Sequence, residues 1–210
     1  MTVDGEERSL QSAGIIPGST EKSDQTYAKE AIAIGHSATA TGDYSTALGY
    51  DTIASENYST ALGNSAQATG ESSTALGRQA NASGVSSTAL GYLAQATGES
   101  SAALGHRATA SGVSSMALGH QAKATGDYST ALGYLANASA QYSIAVGNNA
   151  SAIEYSGIAV GTGASASGDT SVALGNTARA FASYSIALGY ETTVSEDGDE
   201  GTALGYKTTA

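Results

Sequence analysis

The chain has 210 residues, of which 27 are glycine, and it contains only 30 residues of Leu, Ile, Val and Phe combined. So few large apolar side chains cannot fill the core of a globular enzyme of this length, which leaves a disordered chain or a repeat with a small-residue core. A net charge of −11 argues against nucleic acid or an anionic membrane as a partner. The absence of cysteine excludes disulfides, a thiolate nucleophile and cysteine metal sites.

The N-terminal region, residues 1–30, is polar and does not follow the pattern of the rest of the chain. It lacks the basic start and apolar run of a signal peptide. We expect these residues to form either a cap on the first structural unit or a flexible lead-in. No stretch of the chain approaches the roughly 18 apolar residues that a membrane-spanning helix needs, so we expect no direct membrane contact by this segment.

A fourteen-residue repeat dominates the chain from residue 31 onwards. The triplet Ala-(Leu/Ile/Val)-Gly recurs at that spacing from Ala33 to Ala187. Its last copy, at Ala203, comes sixteen residues after Ala187, so an insertion falls near the acidic segment Glu196–Glu200. Such regular spacing excludes disorder. We therefore divide the chain into a lead-in or cap (1–30), a head of fourteen-residue repeats (31–194), and a repeat-breaking insertion with the last partial repeat (195–210).

Each repeat has the length of one coil of a β-solenoid, with two short strands and two tight turns, whereas helical repeats need about 33 residues. The glycine after each Ala-Leu pair, such as Gly63, and the glycine seven residues later, such as Gly70, mark the two corners. We expect positive φ angles at both glycines, because glycine adopts them without steric cost. The fold class predicted is all-β, a parallel β-roll with two strands per coil.

The alternation of side chains predicts how the roll assembles. In the second strand Ala66 and Ala68 alternate with polar residues, which is typical of a strand with one wet face. In the first strand Ala61 lies on one side and Leu62 on the other, and neither side is charged, which indicates a strand covered on both faces. We expect alanine inside the roll and the aliphatic ladder between chains, with the reverse assignment left open. The predicted core or interchain ladder consists of Leu48, Leu62, Leu76, Leu90, Leu104, Leu118, Leu132, Val146, Val160, Leu174 and Leu188.

The segments Ser45-Thr46-Ala47-Leu48-Gly49 and Ser143-Ile144-Ala145-Val146-Gly147-Asn148-Asn149-Ala150-Ser151-Ala152 resemble the head repeat of the YadA-like trimeric autotransporter adhesins of Gram-negative bacteria. The resemblance covers residues 31–210. It implies a left-handed roll and a homotrimer, exposed on the cell surface and anchored in the outer membrane through regions not in this chain. It also implies a role in virulence, as a rigid rod that binds host extracellular-matrix proteins or cells.

A different role is compatible with the same fibrous repeat. A phage tail fibre, located on the virion, or a purely structural spacer would need no ligand along its shaft. An enzyme is not expected, since the chain has no Gly-x-Ser-x-Gly elbow, phosphate loop or His-Glu-x-x-His motif. We accordingly predict no catalytic residues and no cofactor.

Tyrosine supplies the candidate ligand-binding surface, because stacked rings with a wet hydroxyl suit protein or glycan recognition. Some tyrosines precede the repeat serine in successive coils, and others follow the Leu-Gly pair. The alternative is a ladder that only shields a corner and stiffens the roll. The candidates are Tyr44, Tyr58, Tyr92, Tyr128, Tyr134 and Tyr142.

Two further groups of residues could bind a metal, but each also has a simpler interpretation. His106 and His120 share one repeat position, so we expect their rings about 5 Å apart, either on a metal or as a plain surface ladder. The acidic segment Glu196–Glu200 hints at calcium but lacks the full spacing of a calcium loop, so a solvated loop is the alternative. We predict no metal at either place.

Overall fold

The structure is a computed structural model that describes residues 15–17, 28–197 and 199–210, with only the backbone described for 15–17. Most of the lead-in or cap predicted over residues 1–30 therefore lies outside the described residues. The chain divides into two compact units, the first ending at Ser100 and the second spanning Ser101–Ala210. All regular structure in the described ranges is β-strand, which confirms the predicted fold class. These ranges contain no helix with the length and hydropathy to span a membrane.

The first unit contains two sheets, which we name by the outward side chains of their strands. Its aliphatic sheet consists of β1 (Ile15–Pro17), β2 (Ile32–Ile34), β4 (Thr46–Leu48), β6 (Thr60–Leu62), β8 (Thr74–Leu76) and β10 (Thr88–Leu90). Its polar sheet consists of β3 (Thr39–Ala40), β5 (Ile53–Ala54), β7 (Gln67–Ala68), β9 (Asn81–Ala82) and β11 (Gln95–Ala96).

The second unit repeats this arrangement. Its aliphatic sheet consists of β12 (Ala102–Leu104), β14 (Met116–Leu118), β16 (Thr130–Leu132), β18 (Ile144–Val146), β20 (Ile158–Val160), β22 (Val172–Leu174), β24 (Ile186–Tyr190) and β26 (Thr202–Tyr206). Its polar sheet consists of β13 (Thr109–Ala110), β15 (Lys123–Ala124), β17 (Asn137–Ala138), β19 (Ser151–Ala152), β21 (Ser165–Ala166), β23 (Arg179–Ala180) and β25 (Thr193–Val194).

The register shows that one repeat forms one coil. Leu62 in β6 pairs with Leu76 in β8, and Gln67 in β7 pairs with Asn81 in β9, so neighbours in a parallel ladder are fourteen residues apart. The chain thus forms a parallel β-solenoid with two strands per coil, as predicted. The exception to the parallel pairing is β1, which pairs antiparallel with β2 and lines the outer edge of that strand.

Hydrogen bonds between coils continue through the corners as well as the strands. The Thr60 N–H donates to the Ser73 carbonyl at 2.9 Å within the aliphatic sheet. At the first corner, which follows the Leu-Gly pair, the Ser65 N–H donates to the Tyr50 carbonyl at 2.8 Å. Because buried backbone groups need partners, this nearly continuous bonding fixes the fourteen-residue length of each coil.

Alanine fills the interior of the roll. Ala61 on the aliphatic sheet and Ala66 and Ala68 on the polar sheet are all fully buried, as is Ser59 at the start of the coil. Leu62, by contrast, is exposed. In the single chain alanine therefore lies inside the roll and the aliphatic ladder on its outer side, and the placement of that ladder between chains stays a prediction.

The expectation of positive φ at both corner glycines is half right. Gly63 at the first corner has φ +139°, but Gly70 at the second corner, which precedes the repeat serine, is not in the positive region. At the second corner the left-handed conformation falls two residues later, on Ser72 in this coil and on Tyr58 in the preceding one. These residues tolerate it because their N–H groups bond to the preceding coil, as Ser72 does to the Asn57 carbonyl at 2.8 Å.

The glycine at the second corner lies where the backbones of adjacent coils pack closely, but other residues can also occupy this position. A Cβ on Gly70 would lie 2.2 Å from the carbonyl oxygen of Gly84, so the backbones of adjacent coils approach closely there. The equivalent position nevertheless holds Ala140 and Ala182 in other coils, so the corner can adjust. In those two coils the repeat serine three residues later donates to the alanine carbonyl at 2.6 Å.

We predict that the two corner glycines differ in their tolerance of alanine. Gly63→Ala places a side chain at φ +139° and 2.5 Å from the Gly77 carbonyl oxygen, so it should lower the free energy of unfolding by about 1–3 kcal/mol. Gly70→Ala introduces a residue that the chain already uses at that position and should cost less than about 1 kcal/mol. Thermal unfolding of the two variants measures the difference, and equal destabilisation would contradict this account of the corners.

Candidate assembly face and ligand-binding edges

The outer side of the aliphatic sheets is an uncharged, apolar surface in each unit. Thr60 is half-buried and Leu62 is 37% exposed, because the narrow interior has room only for the alanine between them. The structure places every predicted ladder residue on this side, exposed or half-buried. From β2 to β26 the outward positions hold Ile, Thr, Ala, Met, Val and Leu within the two units, with Tyr190 and Tyr206 added at the ends of β24 and β26. We call this surface the aliphatic face.

The outer side of the polar sheets has the opposite character. Gln67 and Asn81 project from it in the first unit, and Lys123 and Arg179 project from it in the second. Serine or threonine follows the inward alanine in most coils, with Ile153 among the exceptions. This face is suited to contact with water, so each roll has one wet face and one apolar face.

Four of the six candidate tyrosines lie at the second corner, where they form two stacked pairs. The rings of Tyr44 and Tyr58 are 5.3 Å apart and inclined by 3°. Those of Tyr128 and Tyr142 are 5.2 Å apart and inclined by 10°, and Tyr155 meets Tyr142 edge-on at 5.7 Å. All five side chains are 44–58% exposed. They are therefore available to a ligand in the single chain.

The other two candidates, Tyr92 and Tyr134, lie at the first corner, on the opposite edge of the roll. Tyr134 stacks on His120 at 5.1 Å, and the guanidinium carbon of Arg78 lies 5.5 Å from the centre of the Tyr92 ring. The structure therefore divides the candidate tyrosines between two edges. The first edge mixes rings with basic groups.

The geometry of His106 and His120 does not favour metal binding. Their rings are 4.7 Å apart and inclined by only 3°. Parallel stacked rings point their nitrogen atoms in the same direction, so the lone pairs do not converge on one ion. In the described ranges no three His, Cys, Asp or Glu side chains are grouped so that they could hold a metal. Gly198, in the middle of the calcium candidate Glu196–Glu200, is outside those ranges.

Carboxylates collect at the second corner, beside the stacked tyrosines. Of the acidic residues that the structure describes, all except Asp51 and Glu191 lie on this edge. The described basic residues lie elsewhere, apart from Lys29. The acidic residues of the edge are Glu30, Asp43, Glu56, Glu71, Glu99, Asp127, Glu154, Asp169, Glu196, Asp197, Asp199 and Glu200. We call the stacked tyrosines with these carboxylates the acidic tyrosine edge of each unit.

Some of these acidic side chains are held in place by the backbone of the preceding coil. One carboxylate oxygen of Asp127 accepts a hydrogen bond from the Val113 N–H at 2.9 Å, and Asp43 accepts one from the Lys29 N–H at 3.0 Å. Each aspartate directly precedes a stacked tyrosine. This contact was not predicted from the sequence, although the dipeptide Asp-Tyr recurs there at equivalent repeat positions, 43–44 and 127–128.

A polar cluster at the first corner joins β24 to β26. Lys207 Nζ lies 3.2 Å from a Glu191 carboxylate oxygen and 5.3 Å from the centre of the Tyr206 ring. A hydrogen bond from Tyr190, helped by Lys207, lowers the pKa of Glu191, and the Glu191 carboxylate raises the pKa of Lys207. All these groups are exposed to solvent, so the ion pair adds little to stability.

Comparison with known families identifies the repeat. The family model of the YadA head domain repeat, which spans two copies of the repeat, matches residues 28–52, 54–80, 82–108, 110–136, 124–150, 138–164, 152–178 and 166–192. No curated protein matches the chain. Because the family matches cover well over half of the sequence, and the coils follow the same fourteen-residue period, this chain belongs to the YadA head domain family, whose members are adhesin-like heads.

Proposed function

We propose that this chain is the head of a bacterial surface adhesin, in which three copies pack through their aliphatic faces and bind host extracellular-matrix proteins or cells. The observation that carries the proposal is the exposed aliphatic face. Its strands have no charged outward side chain in the described residues, and Leu48, Leu62, Leu76 and Leu90 are 37–43% exposed in the first unit alone. A soluble protein rarely leaves a continuous apolar surface uncovered.

The energetics favour assembly along this face. Full burial of a fully exposed leucine side chain contributes about 1.5–3 kcal/mol, and each coil offers one leucine, isoleucine or valine to a partner. Because the leucines of the first unit are 37–43% exposed, covering each of them contributes roughly 0.6–1.3 kcal/mol. A rigid ladder has already fixed its backbone, so little further backbone conformational entropy is lost when copies meet. The number three comes from the trimeric adhesins that this repeat resembles. The apolar face itself requires only that other chains cover it.

Assembly of this kind leaves the polar sheets available as wet outer surfaces. A trimer repeats every surface feature three times, and the solenoid repeats related features along each chain. Once one weak contact with a multivalent target such as a matrix fibre has formed, the next contacts form at a high effective concentration. The overall affinity is therefore higher than that of any single contact. Such a head would act at the cell surface, held there by an outer-membrane anchor.

We predict that the protein sediments as a homotrimer, with three times the chain mass of 20.6 kDa. Leu62→Asp should place a charge on the covered face, and it should convert the protein to smaller species or lower its melting temperature clearly. Gln67→Asp, in the same coil but on the polar sheet, is the matched control and should leave both mass and melting unchanged. A monomeric wild-type protein would refute the assembly.

We predict that the purified protein binds immobilised extracellular-matrix proteins or cultured host cells, with an apparent affinity that falls when assembly is disrupted by Leu62→Asp. Surface plasmon resonance and cell-binding assays measure this, and Gln67→Asp again serves as the control. A folded trimer that binds neither target would contradict the adhesive role and would favour a tail fibre or a spacer.

A further inference from the structure

The acidic tyrosine edge occurs twice in the chain with the same sequence. Residues 40–50 and 124–134 are identical, Ala-Thr-Gly-Asp-Tyr-Ser-Thr-Ala-Leu-Gly-Tyr, although the other coils differ from one another at several of these positions. In both copies the tyrosine that follows Asp stacks on a tyrosine of the next coil. Each unit therefore carries one pair of rings with the same local construction.

Each pair leaves one ring face open. The position that holds Tyr58 is taken by Ser72 in the next coil, and the position that holds Tyr128 is taken by Ser114 in the preceding coil. All four residues have the left-handed backbone of the second corner, so they belong to one ladder in each unit. Where a tyrosine ring borders a serine of the neighbouring coil, the serine side chain is too small to cover the ring face. A flat or slender group can therefore reach the face of Tyr58 beside Ser72 and the face of Tyr128 beside Ser114.

Exposed carboxylates lie within two residues of these rings or of the serine that follows in the ladder. Glu56 and Glu71 come from the coils that carry Tyr58 and Ser72, and both are exposed. Asp127 directly precedes Tyr128 and is fixed through the Val113 N–H. The one ion pair found in the described part of the chain is Glu191–Lys207 at the other edge, so no described side chain neutralises these groups. An aromatic face bordered by unpaired carboxylates is the environment that a cation prefers.

We propose that the acidic tyrosine edge binds a cationic protein segment, with arginine or lysine side chains stacked on the open faces of Tyr58 and Tyr128 and paired with the neighbouring carboxylates. A neutral glycan fits less well, because the edge supplies hydrogen-bond acceptors with uncompensated negative charge. The inference rests on the proposed adhesive function, for which it names the chemistry of the recognised segment. The two sites per chain would engage a target that repeats its basic residues.

The test uses the whole 210-residue chain and a fluorescent peptide of alternating arginine and serine, with binding followed by anisotropy at several salt concentrations. The decisive variant replaces Tyr44, Tyr58, Tyr128 and Tyr142 together by serine, the residue that the chain itself places there in Ser72, Ser86, Ser100, Ser114 and Ser156. These substitutions leave the net charge unchanged. We expect the affinity to fall by about fivefold or more, since each exposed cation–π contact is worth roughly two- to fivefold.

Further variants complete the test. Replacing only Tyr44 and Tyr58 by serine should halve the number of tight sites per chain. The double variant Glu56→Ala, Glu71→Gln should weaken binding and reduce its salt dependence. Alanine and glutamine already occur at the equivalent repeat positions, as Ala140 and Gln141. Tyr50→Asn, at the first corner, removes a tyrosine from the opposite edge and should have no effect; asparagine occurs there as Asn64.

Three outcomes would overturn the inference. Unchanged affinity of the four-serine variant would show that the peptide binds by net charge alone. Tighter binding of a neutral oligosaccharide than of the peptide would assign the edge to glycans. Loss of the trimer in the four-serine variant, seen by sedimentation, would show that a second copy of the chain covers the rings.

The failure of this inference is distinguishable from failure of the proposed function. If the wild-type protein and the four-serine variant bind matrix or cells equally well, the adhesive role stands and the edge is not its binding site. If the wild-type protein binds the arginine peptide through its tyrosines but binds neither matrix nor cells, the edge is a cation site and the adhesive role falls.

Discussion

The narrow interior of the roll is the constraint on which the rest of the structure depends. Alanine and serine side chains fill the space between the two sheets, and Ala61, Ala66 and Ala68 have no exposed surface. A roll this thin has no room for Leu62 or its equivalents, although the aliphatic strands carry one such residue in every coil. The larger apolar side chains therefore project outwards, and the chain on its own leaves them partly in water.

The same constraint separates the surfaces of the molecule by chemistry. Aliphatic side chains and threonines lie on the aliphatic face, amide, hydroxyl and basic groups lie on the polar sheets, and most described carboxylates lie at the second corner. Faces and corners are thus free to serve different partners. In our account, other copies of the chain pack against the aliphatic face, and a basic target binds the acidic tyrosine edge. Neither contact requires any movement of the backbone, which the bonding between coils holds rigid.

Much of this architecture could be predicted from the sequence, because a fourteen-residue period and a two-residue alternation leave few arrangements for a β-solenoid. The period sets the pairing of Leu62 with Leu76, whereas the alternation in β6 only places Ala61 and Leu62 on opposite sides and leaves open which of them faces inwards. The position of the positive φ angle at the second corner could not be predicted in this way. Ser72 adopts it in place of Gly70, and Tyr58 adopts it at the equivalent position of the preceding coil, because hydrogen bonds between coils offset the strain.

The candidate site was predictable only in part. Repeat positions are enough to place Tyr44 beside Tyr58, whereas the 5.3 Å separation of their rings depends on side-chain rotamers. The fixation of Asp127 by the Val113 N–H depends on the closeness of two coils, which a linear pattern does not display. The identical residues 40–50 and 124–134 are visible in the sequence. Their significance depends on the carboxylates that the fold gathers around them.

Chemical labelling of the two faces tests the central claim most directly. The chain contains no cysteine, so Leu62→Cys and Gln67→Cys each introduce a single thiol, one on the aliphatic face and one on the polar sheet of the same coil. If other copies cover the aliphatic face, maleimide should modify the native Gln67→Cys protein rapidly and the native Leu62→Cys protein at least about tenfold more slowly, with equal rates after unfolding. Equal rates in the native proteins would show that the aliphatic face is open to water and would contradict the account.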